Sequence, residues 1–131
     1  MIYNIYKRLK EITEKEFFDI VIDAEIIYTY SGRARKLRIH LIDETFIDVW
    51  YSTEGEYSYH WEQRGVRDSI YRHDNAPHQK WANVKSFPKH CHNMEESTVI
   101  ESNISDSPEE AIREFISTVR EKLVKLKFPS T

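Results

Sequence analysis

The sequence predicts an α+β protein, an antiparallel meander sheet of about six strands covered by a C-terminal helix and a short N-terminal helix. Three observations carry that expectation. Apolar residues recur at helical spacing at both ends of the chain, they alternate with polar ones through the middle, and short Ser, Gly, Asp and Asn signals punctuate the alternating runs.

Taken in order, Ile2, Ile5, Tyr6, Leu9 and Ile12 share one face of an amphipathic helix over the first fifteen residues. From Phe18 the period changes. Phe18, Ile20, Ile22, Ala24, Ile26, Tyr28 and Tyr30 point one way and Asp19, Asp23, Glu25 and Thr29 the other, which describes a long strand with one wet face. Those acidic residues read as the solvated side of a strand, not as metal carboxylates. Ser31 and Gly32 supply a turn to a second strand, where Leu37, Ile39 and Leu41 alternate with Lys36, Arg38 and His40. Phe46 to Ser52 is a third strand, Tyr57 to Gln63 a fourth and Ser69 to His73 a fifth, with Phe87 to Asn93 and Thr98 to Glu101 as shorter candidates. The closing helix starts with Ser107 as N-cap, Pro108 in its first turn and Glu110 as capping-box partner. Ala111, Ile112, Phe115, Ile116, Val119, Leu123 and Leu126 then line one face, which covers the sheet. With no repeat, low-complexity tract or linker, residues 1–131 read as a single domain.

Composition narrows the function classes. Charged residues make up 31% of the chain and Gly and Pro are scarce, which excludes disordered and collagen-like chains. The lone cysteine, Cys91, has no partner for an internal disulfide, and Met1 to Lys15 lacks the apolar run of a signal peptide. No stretch approaches the roughly 18 apolar residues of a membrane span, so the expectation is a cytoplasmic protein. A net charge of −3 argues against nonspecific wrapping of nucleic acid. The charge is unevenly spread. From His60 to His92, Arg64, Arg67, Arg72, Lys80, Lys85 and Lys89 face only Glu62, Asp68 and Asp74, a local basic surplus that can attract a phosphate group.

The same segment holds five of the six histidines, in three blocks: Tyr57 to Trp61 (YSYHW), Tyr71 to Trp81 (YRHDNAPHQKW) and Phe87 to Asn93 (FPKHCHN). Histidine gives and takes protons near neutral pH and, when neutral, ligates metals. Strand alternation sets Ser58 and His60 opposite Tyr57, Tyr59 and Trp61. Asp74, Asn75, Ala76 and Pro77 form a turn that presents His78, because Asp and Asn bond back to nearby amides and proline holds the preceding residue extended. His90 and His92 share one side of an extended segment, with Lys89 and Cys91 on the other, so Cys91 reads as a small buried residue and not a nucleophile. Trp61 and Trp81 suit either base stacking or the core.

Three uses of this constellation compete. In metal-free RNA cleavage one histidine takes the 2′-OH proton, another protonates the leaving oxygen, and Arg or Lys stabilises charge on the phosphate. In a metal site, His-x-His plus a third histidine or Asp74 matches the nitrogen and oxygen ligands of zinc or a similar ion. In a structural role, the histidines are satisfied by hydrogen bonds along a sheet edge.

The succession YSYHW, YRHDNAPHQKW, FPKHCH resembles the signature of the TumE family, small toxins of bacterial and archaeal toxin-antitoxin pairs. Its specific part is the Arg-x-Asp-Asn-Ala-Pro-His stretch, and the matching positions are His60, Arg72, Asp74, Asn75, Pro77, His78, His90 and His92. The resemblance implies a toxin directed at RNA or translation, with an antitoxin partner of helix-turn-helix type. Roles within the set come from chemistry. The expectation is a metal-independent endoribonuclease in which two of His60, His78, His90 and His92 serve as base and acid. Arg72 and Lys89 contact phosphate, Trp81 the substrate, and Asp74 and Asn75 orient the loop or a ring nitrogen. No cofactor is required, and zinc or a similar ion is left open. The alternative is a non-catalytic interaction or regulatory module, with or without a bound metal. An exposed sheet edge also permits a homodimer.

Overall fold

The structure is a computed structural model that describes residues 1–127. Helix α1 (Ile2–Glu16) is followed by strands β1 (Val21–Tyr28), β2 (Ala34–Leu41), β3 (Phe46–Tyr51) and β4 (Tyr57–Glu62). A single helical turn, α2 (Arg64–Arg67), leads to β5 (Ile70–Asp74). A 3-10 turn at Gln79–Trp81 then precedes β6 (His90–Met94), β7 (Val99–Glu101) and α3 (Pro108–Lys127). All seven strands pair antiparallel in chain order, so the fold is the expected α+β meander; both short candidate strands form, the first only from His90 because Phe87 and Pro88 lie in a turn.

Alternation decides which face of the sheet is covered. Leu37, Ile39 and Leu41 of β2, Ile47 and Val49 of β3, and Tyr57, Tyr59 and Trp61 of β4 point to the helices and are buried. Helix α1 contributes Tyr6, Leu9 and Ile12 to that core, and α3 contributes Ala111, Ile112, Phe115, Ile116 and Val119. Trp61 belongs to this layer: it is fully buried and its Nε1–H donates to Thr45 Oγ1 at 2.8 Å, which removes it from the stacking candidates. Two ion pairs tie the helices to each other, Arg8 to Glu109 at 2.6 Å and Arg113 to Glu16 at 2.8 Å. Among the described residues no helix is long and apolar enough to cross a membrane.

Three local expectations need correction. The alternation from Phe18 to Tyr30 breaks at a register irregularity between Val21 and Asp23, which leaves Ile22 out of step. Val21 therefore takes the inward position, while Phe18, Ile22, Tyr28 and Tyr30 are exposed. At the start of α3, Ser107 holds the N-cap position, its carbonyl accepting the Ala111 amide at 2.8 Å, but Glu110 closes no capping box: it accepts the hydroxyl of Ser105 at 2.8 Å, and the Ser107 amide donates to Ser105 Oγ at 3.1 Å. Leu126 is exposed, the helix having run past the sheet it covers.

Tyr6 supplies the polar link between α1 and the sheet. Its hydroxyl donates to the Arg35 carbonyl and accepts the Tyr51 amide, both at 3.0 Å, with the side chain fully buried. Tyr6→Phe strands both backbone groups, and the expected loss is about 1–3 kcal/mol of unfolding free energy. Urea denaturation with an unchanged m-value checks this, and a change below a few tenths would contradict it.

Candidate active site

The sheet face opposite the helices carries the polar half of each alternation. Register aligns His60, Arg72 and His92 in one row across β4, β5 and β6, and Ser58, Asp74 and His90 in the next. The segment from residue 75 to 89 folds back over the β5–β6 end of this face. Trp81 closes over the two imidazoles, with ring centroids 6.4 Å from His90 and 5.8 Å from His92. That cover explains why two histidines on the nominally wet face are 1% and 3% exposed. In front of them lies an open cleft of about 350 Å³, with Trp50, Ser58, Asp74, His78 and Trp81 among its walls. A neighbouring hollow lined by Arg35, Lys36, Asp48 and His60 shares Trp50, Ser58 and Arg72 with it.

Both imidazoles are held by backbone carbonyls. His90 Nδ1 bonds the Pro88 carbonyl at 2.9 Å, and His92 Nδ1 bonds the Glu96 carbonyl at 2.8 Å. A carbonyl oxygen only accepts, so Nδ1 carries the hydrogen in each ring, and each Nε2 is left with a lone pair when the ring is neutral. Asp74 stands between them, with Oδ1 3.1 Å from His90 Nε2 and Oδ2 3.9 Å from His92 Nε2. The carboxylate is itself held by the Ala76 amide and the Arg72 guanidinium, both at 3.0 Å. Burial pushes His92 below the ordinary histidine value, opposed by its bond to the Glu96 carbonyl. His60 is lowered by burial as well, opposed by Glu62 at 3.2 Å.

The predicted residues therefore divide. Asp74, His90 and His92 converge, and Arg72, Trp81 and His78 line the same cleft, with His78 exposed at its rim. His60 sits in the adjoining hollow, its Nδ1 3.5 Å from the Arg72 guanidinium. Asn75 borders the cleft, but its amide is spent on scaffolding: Oδ1 accepts the Tyr57 N–H at 2.9 Å and Nδ2 donates to the Gly55 carbonyl at 3.0 Å. Lys89 is misplaced by the expectation of a phosphate contact. Its alternation turns it to the helix side, where Nζ bonds the Ile104 carbonyl and pairs with Asp106 at 3.3 Å. His73 and Cys91 face the core, as alternation requires, and burial pushes the Cys91 thiol up to about 11.

Among the cleft residues that sequence reasoning missed are Trp50 and Glu96. Trp50 was legible, since Ile47 and Val49 point inward and leave an indole on the polar face. Glu96 was not, because it follows β6 in a loop whose path no local pattern fixes; it grips Arg72 through two bonds of 3.0 and 3.2 Å.

A family model described as "Toxin TumE" matches residues 8–123, which spans all seven strands and most of α3. No curated protein and no solved structure gives a match. The match covers far more than half of the chain, and the chain belongs to the TumE toxin family.

Proposed function

We propose that this toxin binds RNA in the cleft and breaks its phosphodiester bonds there, in the cytoplasm, under the control of a helix-turn-helix antitoxin. The observation that carries the reading is the convergence of the His90 and His92 Nε2 atoms on Asp74 beneath Trp81, with Trp50 in the same cleft wall. Indole rings beside an open cleft suit unstacked bases, which is how single-stranded RNA is held. The imidazole atoms beneath are the ones able to work on a phosphodiester, as proton carriers or as ligands of an ion. Arg72 is the nearest fork for a phosphate. Its partner Glu96 is 54% exposed, so an incoming phosphate competes with Glu96 for the same guanidinium bonds.

The test compares RNA and DNA oligonucleotides of one sequence with the purified chain. RNA is expected to be cut and DNA spared, because the 2′-OH is the internal nucleophile. Trp81→Ala should lower RNA affinity by about 1–3 kcal/mol. Equal handling of RNA and DNA, or no binding of either, would sink the reading. Co-expression with a neighbouring helix-turn-helix protein should relieve growth arrest caused by the toxin alone.

A further inference from the structure

The same three side chains pose an electrostatic question that proton chemistry answers poorly. Asp74 Oδ1 and His90 Nε2 are 3.1 Å apart, yet His90 Nε2 is buried and makes no hydrogen bond, so the ring axis does not aim at that oxygen. A shared proton needs a near-linear bridge, and bonds weaken steeply as they bend. A metal ion needs something else: lone pairs from several directions meeting at one point. Asp74, His90 and His92 each offer a donor atom, and all three atoms lie within 4.8 Å of one another.

We propose that Asp74, His90 and His92 hold a divalent transition-metal ion of the zinc type, bound through the two Nε2 atoms and Asp74. The surroundings fit a ligand set. Metal-bound histidines usually give their other ring N–H to a carbonyl or carboxylate, which fixes the tautomer, and here Pro88 and Glu96 supply that carbonyl. Arg72 holds the second carboxylate oxygen of Asp74, and so steadies the ligand. The local charge also suits a cation, because the negative charges of Asp74 and Glu96 outnumber the single positive charge of Arg72. Two imidazoles and one carboxylate leave at least one coordination position free, and the cleft lies in front of it. A ligand entering there would be water or an oxygen of the cleft's substrate. The assignment replaces the metal-free chemistry expected from the sequence, and it stands whether or not RNA is the target.

The experiment titrates chelator-stripped full chain with zinc against a chromogenic chelator and follows thermal melting in parallel. The expected result is one equivalent per chain with a rise in melting temperature. Asp74→Asn and His92→Gln should each weaken binding by at least about tenfold, on the scale seen when a metal's environment loses a partner. His40→Gln, which removes a half-buried histidine of β2 paired with Glu25 of β1, away from the cleft, should bind as the unaltered chain does. Circular dichroism establishes that each variant is folded. Where a variant is not, the unaltered chain decides: failure to take up zinc at micromolar concentration overturns the proposal. Equal binding by folded His92→Gln and by the unaltered chain overturns it as well. Zinc uptake without RNA cleavage leaves the metal site standing and removes the ribonuclease; cleavage without uptake does the reverse.

Discussion

Phe115→Ala is expected to destabilise the fold by about 3–5 kcal/mol, a large part of the roughly 5–15 kcal/mol that holds a domain of this size together. Phe115 is 1% exposed and sits where α3 meets the centre of the sheet. Its ring stacks on Tyr71 at 5.3 Å, tilts against Tyr59 at 5.7 Å and meets the edge of His73 at 5.9 Å. Three rings on two strands thus converge on one helix side chain. Alanine leaves a void whose walls are strands paired on both sides, and those strands cannot close it without breaking their own ladders. The loss should exceed that of Leu126→Ala on the same helix, because Leu126 is already 47% exposed. Urea unfolding of the two variants measures the contrast, and comparable midpoints for both would show that α3 does not anchor the sheet as described.

How much of this fold the residues announced depends on how local the cause is. Strands β2 to β4 follow from alternation alone: Leu37, Ile39, Ile47, Val49, Tyr59 and Trp61 are all buried, as a period of two demands. β1 shows where alternation stops being enough. Ile22 is 65% exposed because the ladder to β2 slips by one residue, and a slip is set by the partner strand, not by the sequence of β1. Leu126 fails for a related reason, since helical periodicity continues after the sheet beneath has ended.

The cleft divides along the same line. That His60, His90 and His92 share a face follows from strand parity, and the antiparallel meander then brings Asp74 beside His90. The burial of His90 and His92 does not follow from parity, which assigns them to water. It comes from Trp81 and the segment 75–89 folding over the sheet, a tertiary path with no local signal beyond the turn at Asp74 to Pro77. Lys89 shows the opposite error. Its parity already pointed away from His90, and its charge alone suggested a phosphate contact that the geometry does not allow.

Acid should destabilise this protein through His73 by about 3 kcal/mol between neutral pH and pH 4. His73 lies on the helix side of β5, where Nε2 shares a hydrogen bond with the Tyr71 hydroxyl at 2.9 Å and Nδ1 shares one with Ser102 Oγ at 2.6 Å. Both ring nitrogens are thus satisfied in the neutral form. Burial, reinforced by the charge of Lys89, lowers the ring to about 4 against an ordinary 6.5. The folded-state value lies below the unfolded one, so below pH 6.5 the unfolded chain takes up a proton that the native chain refuses. The stabilisation is therefore complete above about pH 6.5 and drains away as pH falls towards 4, at about 1.4 kcal/mol per pH unit. Carboxylates that lose ion pairs in acid add to the measured slope, and a matched variant separates the two. His73→Gln keeps a donor and an acceptor but does not titrate. Between pH 7 and 4.5 its stability should fall by about 2–3 kcal/mol less than that of the unaltered chain. Parallel curves for the two proteins would mean that the His73 ring takes its proton as readily in the fold as out of it, and that the helix-side pocket is wetter than its packing against Phe115 implies.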